Sequence, residues 1–247
     1  FLPKIVQHIP IERFINELTD QTINDMGRYG KYLFFHFGDK TLISHLRMEG
    51  KYFIKPLDAK REKHEHIIFY FTDGTTLRYH DTRQFGTMEI VPTKRIFDTP
   101  PISKLGYEPF DKQMNTTYLS NKLKNKTIAI KPALLDQHII VGLGNIYVDE
   151  VLFRSKLHPE TPSNKLSKKD IKAVIENSKD VLNKAINLGG TTIRSYVSSL
   201  GVTGRFQNEL FVHSLEGEAC KKCNNSIVKI KVAGRGTYYC PSCQKLK

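Results

Sequence analysis

Cys220, Cys223, Cys240 and Cys243 are the only cysteines in the 247-residue sequence, and all four fall in its last 28 residues. They form two C-x2-C pairs separated by sixteen residues, which is the spacing of a tetrahedral zinc site. A disulfide pair and four free thiols are the readings this spacing argues against. Four thiolates close the coordination shell, so one Zn2+ here would be structural and not catalytic. Its binding energy, roughly 10–16 kcal/mol in comparable peptides, would fold a segment too short to have a core. Between the pairs, Ile227 to Val232 alternates as a strand does, Ala233 to Thr237 reads as a turn, and Tyr238-Tyr239 reads as a second strand. The result is a β-hairpin finger with Arg235 at a glycine-flanked tip. From Cys220 to Lys247 there are seven Lys or Arg and no acidic residue, a charge that suits a nucleic-acid groove. The plainer alternative is a zinc knob that only caps the fold.

The whole chain carries the same bias, with 38 Lys and Arg against 25 Asp and Glu and a formal charge of +13. Such a surplus favours a polyanion through steering and counterion release. Nucleic acid leads and an anionic membrane surface is the alternative, but no apolar run approaches the ~18 residues of a membrane span. A second anion site is suggested by Val141-Gly142-Leu143-Gly144-Asn145-Ile146. Glycines there let the backbone approach a ligand, and a helix beginning near Ile146 would point its free amides at a phosphate.

A Gly-x-Gly before a helix says little alone. Here it runs on through Tyr147-Val148-Asp149-Glu150. It also stands in order with His45-Leu46-Arg47-Met48-Glu49-Gly50, Asp81-Thr82-Arg83-Gln84-Phe85-Gly86, Ile130-Lys131-Pro132 and the cysteine finger. In that order the set resembles the formamidopyrimidine-DNA glycosylases, bacterial base-excision repair enzymes, over essentially the whole chain. The resemblance implies an α+β fold: an N-terminal antiparallel β-sandwich, a helix–two-turn–helix domain and a C-terminal β-hairpin zinc finger. It implies excision of oxidised purines such as 8-oxoguanine and formamidopyrimidines, followed by β,δ-elimination at the abasic site through a Schiff base. The partner would be damaged double-stranded DNA, the protein a monomer of the bacterial cytoplasm associated with the nucleoid.

Carried over residue by residue, the resemblance assigns Met48, Arg83 and Phe85 to filling the hole left by an everted base. That agrees with the chemistry, because a damaged base must leave the stack before it is attacked. Arg83 offers donors to the orphaned cytosine, Phe85 is an apolar wedge and Met48 a flexible plug. Lys31 matches a supporting lysine at the phosphate and sugar of the flipped nucleotide, and Lys131, Asn145 and Arg235 match other phosphate contacts. Residues 189–207 match the region whose loop folds over the everted base. Taken singly, Met48 and Phe85 would read as core and Lys31 as a solvated charge; their joint, ordered occurrence reverses that. His45, His64, His66 and His80 lack metal spacing and read as structural or surface groups.

Three departures stand out. The family's opening Pro-Glu-Leu-Pro-Glu run, whose proline amine is the nucleophile and whose glutamate is the acid/base, is not among these residues. Pro3 cannot replace it, since an internal proline nitrogen is an acylated amide, and nothing places the Phe1 α-amine beside the sugar. The expectation is a fragment of a longer enzyme, inactive as written, with a lesion-binding relic as the other possibility. Gln84 stands where a second arginine is common in the family, and His213 where a tyrosine is common, and the resemblance implies that each could cost a phosphate contact. An endonuclease VIII-like enzyme for oxidised pyrimidines and a non-catalytic zinc-finger DNA-binding module are the competing readings.

Elements to position these residues are visible in the pattern. Strands are expected at Tyr32–Phe37, 41–46, 50–55, 66–72 and Thr75–His80, the last pair joined by an Asp73-Gly74 tight turn. A helix is expected at Ile11–Leu18, and 92–110 reads as a proline-marked boundary. Ser167 with Asp170 opens a helix whose apolar stripe runs through Ile171, Val174, Ile175, Ser178, Val181, Leu182, Ala185 and Ile186. Shorter helices are expected at 132–137 and 146–153. The domains implied are 1–100 (sandwich, incomplete at its start), 110–209 (helix–two-turn–helix) and 210–247 (zinc finger).

Overall fold

The computed structural model describes residues 3–191 and 204–247, and its contacts divide the chain into two compact units with the break after Lys104. The first unit opens with helix α1 (Ile11–Leu18), followed by seven strands: β1 (Asp25–Tyr29), β2 (Tyr32–Phe37), β3 (Lys40–His45), β4 (Lys51–Pro56), β5 (Glu65–Tyr70), β6 (Thr75–His80) and β7 (Thr87–Pro92). They form two antiparallel sheets, one in the order β1-β2-β3-β7 and one in the order β4-β6-β5. Phe35, Phe37, Leu42 and Met88 from the first sheet share a core with Ile67 and Tyr79 from the second. These positions share one face of their strands as the pleat requires, while Phe34 and Ile43 on the other face of the first sheet are buried too, and the unit is the expected β-sandwich. Gly38, at φ +77°, makes the β2–β3 turn and Gly74, at φ +81°, the β5–β6 turn, where a side chain would meet left-handed backbone strain.

The second unit contains α2 (Thr116–Leu123), α3 (Ile130–Leu135), α4 (Asn145–Arg154) and α5 (Lys168–Asn187), then the hairpin β8 (Val228–Val232) and β9 (Arg235–Tyr239). α5 begins with the expected capping box: Ser167 Oγ accepts from Asp170 N–H at 3.2 Å, and Asp170 Oδ2 accepts from Ser167 N–H at 2.9 Å. Its buried stripe is Ile171, Val174, Ile175, Ser178, Val181 and Ala185, while Ile186 is 65% exposed and falls outside the core. α4 buries every residue from Val148 to Phe153, so it is a helix inside the core and not an amphipathic one.

Two helices differ from the sequence expectation. α3 starts at Ile130, two residues before Pro132. Proline is tolerated anywhere in the first turn because those amides need no intrahelical partner, so it does not mark the start. The first amides are satisfied elsewhere, with Ile130 N–H donating to Thr161 O at 2.8 Å and Lys131 N–H to Pro159 O at 3.2 Å. α2 was not foreseen; Asn115 caps it by accepting from Tyr118 N–H at 3.0 Å. The boundary segment after β7 is not featureless either, since short 3-10 turns at Thr93–Asp98 and Ile102–Lys104 bury Ile96 and Ile102.

Leu134 is wholly buried in the core formed by α2, α3, α4 and α5. Leu134→Ala removes apolar contact and leaves a cavity, so urea denaturation is expected to show a loss of about 2–5 kcal/mol.

Candidate nucleic-acid interface and metal centre

Strand register decides where the sandwich presents its candidate residues. His45 at the end of β3 pairs with Thr87 at the start of β7, and Lys51 at the start of β4 pairs with His80 at the end of β6. The two connections that cross between sheets, 46–50 and 81–86, are thereby forced side by side at one end. The first carries Met48 and the second Arg83 and Phe85. Arg83 Nη1 lies 3.2 Å from Met48 Sδ, and the guanidinium sits 4.9 Å over the Phe85 ring. Met48 is 67% and Phe85 53% exposed, so both apolar side chains and the arginine between them face solvent. Tyr32 pairs with His45 as well, so the Gly30-Lys31 turn between β1 and β2 lies at the same end, with Lys31 exposed.

This end is electropositive and the structure responds to it. Burial, then the charges of Arg47 and Lys31, lower the His45 pKa from an ordinary 6.5 to about 4. His45 is therefore neutral at physiological pH, and its Nδ1 accepts from Arg47 N–H at 2.9 Å. Arg47 and Gln84 both hold left-handed backbone, at φ +54° and +57°, and non-glycine residues in that region cluster at functional sites. Of the other histidines read as structural, His66 is buried with Nε2 2.9 Å from Asp81 O.

In the second unit the remaining candidates converge on one carbonyl. Lys131 Nζ donates to Gly236 O at 2.9 Å and Asn145 Nδ2 donates to it at 3.0 Å. Gly236 follows Arg235, which is exposed. Arg235 is not at the tip of the hairpin. Val232 pairs with Arg235 across a two-residue Ala233-Gly234 turn with both residues at positive φ, so Arg235 is the first residue of β9. A primed turn of two residues matches strand twist, and is tighter than the five-residue turn expected from composition.

Lys131 departs from its expected place among the phosphate contacts, because it is fully buried. Its Nζ bonds Asp149 Oδ1 at 2.6 Å, while Asp149 Oδ2 lies 2.7 Å from His213 Nδ1 and accepts from Tyr238 N–H at 3.3 Å. Burial lowers the Lys131 pKa, and Asp149 opposes that effect. His213 is also buried, packed edge-on against Tyr238; at this position it ties the finger to α4. The neighbouring Glu150 accepts backbone N–H bonds from Phe211, Val212 and His213 at 3.0–3.1 Å. In α4 itself the intrahelical ladder begins with Val148 N–H to Gly144 O. The amides of residues 145–147 lie outside that ladder, at the positive end of the helix dipole.

The four cysteine sulfurs lie within 4.8 Å of one another. Cys223 and Cys240 are 3.4 Å apart and Cys220 and Cys243 4.0 Å, bracketing the ~3.8 Å edge of a tetrahedron with 2.3 Å zinc–sulfur bonds. The residues fit one structural zinc. Two links join this centre to the helices: Gln244 accepts from Cys240 N–H at 2.9 Å and donates to Leu157 O at 2.8 Å, and Lys247 Nζ meets Asp170 Oδ1 at 2.5 Å. The cover-loop expectation for residues 189–207 falls largely on 192–203, outside the described residues. Among the described residues, no helix is long and apolar enough to cross a membrane.

A β-sandwich, a helical unit with a half-buried α4 N-terminus and a four-cysteine hairpin are the three parts that the resemblance implies. Three family models match: the formamidopyrimidine-DNA glycosylase N-terminal domain over residues 1–88, its H2TH domain over 105–197, and a zinc finger found in FPG and IleRS over 217–246. The chain is 48% identical to the formamidopyrimidine-DNA glycosylase of an Exiguobacterium species, covering 98% of this chain and 89% of that protein. It is also 48% identical to that of Oceanobacillus iheyensis, covering 99% and 88%. A Lactococcus lactis relative in complex with Fapy-dG-containing DNA superposes with a TM-score of 0.92 at 46% identity, covering 98% of this chain and 89% of that one. The same relative's complex with DNA containing an abasic site gives 0.91 at 46% identity and the same coverage. The chain belongs to the formamidopyrimidine-DNA glycosylase family.

Tyr79, Asp81, Asp149 and Glu150 were not singled out by spacing. Their roles depend on backbone amides that reach them only in the folded chain, although an aspartate two residues before Arg83 is a recognisable turn-former. Chelation of zinc is expected to make all four thiols reactive to a thiol dye and to lower DNA affinity; slow, zinc-independent labelling would contradict the structural role. A depressed histidine pKa means the unfolded chain binds more protons between pH 6.5 and about 4, so stability falls as pH falls through that window. His80 and His158, also lowered by burial, act in the same direction. His45→Asn is therefore expected to remove part, not all, of the acid slope in urea unfolding.

Proposed function

We propose that the protein recognises oxidised purines, 8-oxoguanine and formamidopyrimidines, in double-stranded DNA for base excision, by N-glycosylase action and β,δ-elimination through a Schiff base. The observation that carries this reading is the gathering of Met48, Arg83 and Phe85 at one exposed end of the sandwich. Once a base is everted, Phe85 and Met48 fill apolar space in the stack. Arg83 presents N–H donors to the pairing edge of the orphaned base, and cytosine there offers acceptors. An arginine reading cytosine implies a guanine-derived lesion. Lys31 supports the sugar and phosphate of the flipped nucleotide, and Asn145, Arg235 and the first amides of α4 hold the backbone. Lys131 acts through Gly236 and Asp149, fixing the strand that carries Arg235. The relatives support the same direction, being named for formamidopyrimidine-DNA and solved with Fapy-dG-containing DNA.

The reading keeps three functional parts: a lesion-probing sandwich at 1–100, a backbone-binding helical part at 110–209 and a finger at 210–247 that depends on zinc. The Schiff-base amine is assigned by resemblance to a Pro-Glu-Leu-Pro-Glu run that these 247 residues do not contain.

The test is equilibrium binding of duplexes carrying a tetrahydrofuran abasic analogue opposite cytosine or adenine, across a salt series. Preference for cytosine is expected, and Arg83→Ala should reduce it by about 1–3 kcal/mol. Each phosphate contact should contribute about −0.9 to the log–log salt slope. Equal binding of a thymine glycol duplex would favour a pyrimidine-lesion enzyme.

A further inference from the structure

The two connections that carry Met48, Arg83 and Phe85 meet at a buried hydroxyl. Tyr79, fully buried on the central strand β6, donates from its OH to Asp81 Oδ2 at 3.0 Å. The same hydroxyl lies where side chains of Gly50 and Gly86 would be. A Cβ on Gly50 would come within 2.6 Å of it, and a Cβ on Gly86 would overlap it. Gly50 closes the connection holding Met48, donating to Leu46 O at 3.0 Å, and Gly86 closes the one holding Arg83 and Phe85. The tyrosine tip therefore occupies the space between both connections, which only glycine leaves open on either side.

Asp81 continues the same construction. Its Oδ1 accepts from Arg83 N–H at 3.0 Å, and its Oδ2 accepts from Phe85 N–H at 3.0 Å and Gly86 N–H at 2.9 Å. Two of the three hole-filling residues thus hang by their backbone from one fully buried carboxylate. Burial pushes that carboxyl upward, but the bonds from Gly86, Tyr79, Gln84 and Arg83 outweigh it and hold it below its ordinary value. Burial and the Asp81 charge together raise the Tyr79 hydroxyl, so it remains a donor. Neither residue is exposed enough to touch DNA.

We propose that Tyr79 and Asp81 are positioning residues that set opposite-base selectivity, by fixing the backbone from which Arg83 and Phe85 are presented between Gly50 and Gly86. The proposal rests on the reading of Arg83 as the group that senses the orphaned base. Affinity is dominated by phosphate contacts, whereas base reading needs a narrow range of donor positions. Loosening this support should therefore lower selectivity without lowering general DNA binding.

The experiment compares the zinc-loaded chain with Tyr79→Phe, Asp81→Asn and Arg83→Ala. Each is measured on the tetrahydrofuran duplex opposite cytosine or adenine, on undamaged duplex, and in thermal unfolding. Tyr79→Phe keeps the ring and removes one donor, and is expected to reduce the cytosine-over-adenine ratio about threefold to tenfold while undamaged-duplex affinity is unchanged. Asp81→Asn should reduce the ratio further; if it fails to fold, Tyr79→Phe alone decides. A ratio kept by Tyr79→Phe and lost by Arg83→Ala overturns the positioning role and leaves the Arg83 reading standing. A ratio kept by Arg83→Ala overturns the Arg83 reading and the proposal with it. A parallel fall in lesion and undamaged affinity with a lowered unfolding temperature marks general support of the fold and also overturns the proposal.

Discussion

The pairing of His45 with Thr87 and of Lys51 with His80 is the constraint on which the sandwich's chemistry depends. A strand's side chains alternate between faces, so a slip of one residue in either ladder would turn the whole strand over. It would also move one crossover away from the other. With the register held, residues 35 positions apart in sequence come into contact, Met48 against Arg83. The buried aromatic and aliphatic residues that the two sheets share enforce that register through the hydrophobic effect. The end of the unit that carries Met48, Arg83 and Phe85 is thus specified by its interior.

The second unit uses another carboxylate for a comparable purpose. Asp149, buried on α4, gathers Lys131, His213 and the Tyr238 amide, and so connects α3, the chain entering the finger and β9. A buried ion pair stabilises little relative to an apolar core, but breaking one by removing a single partner is costly. Its value here is register between elements. The Gly236 carbonyl accepts from both Lys131 and Asn145 only when α3, α4 and β9 stand in one arrangement.

Much of this was legible in the sequence where local chemistry dictates the result. The cysteine spacing and the Ser167–Asp170 box appear as read, whereas the turn at Asp73-Gly74 is longer than two residues, β5 ending at Tyr70 and β6 starting at Thr75. β1 escaped because Asp25–Tyr29 is an edge strand, mostly solvent-facing and interrupted by Gly27, so it lacks alternation. α4, expected at 146–153, spans Asn145–Arg154, within one residue at each end. The burial of Lys131 was not legible, since a lysine is hidden only when a partner distant in sequence neutralises it. Asp81 stands two residues before Arg83, but it receives the amides of Arg83, Phe85 and Gly86, and such bonds leave no trace in residue type.

The links from Gln244 to Leu157 and from Lys247 to Asp170 have a thermodynamic consequence. They couple the cysteine cage to the start of α5 and to the turn after α4, so forming the cage and ordering the helices are not independent events. Whatever favours one favours the other by the same free energy, as linkage requires. Zinc affinity is then a property of the entire second unit and not of the hairpin alone. A substitution deep among the helices would register as a weaker hold on the metal, far from any sulfur.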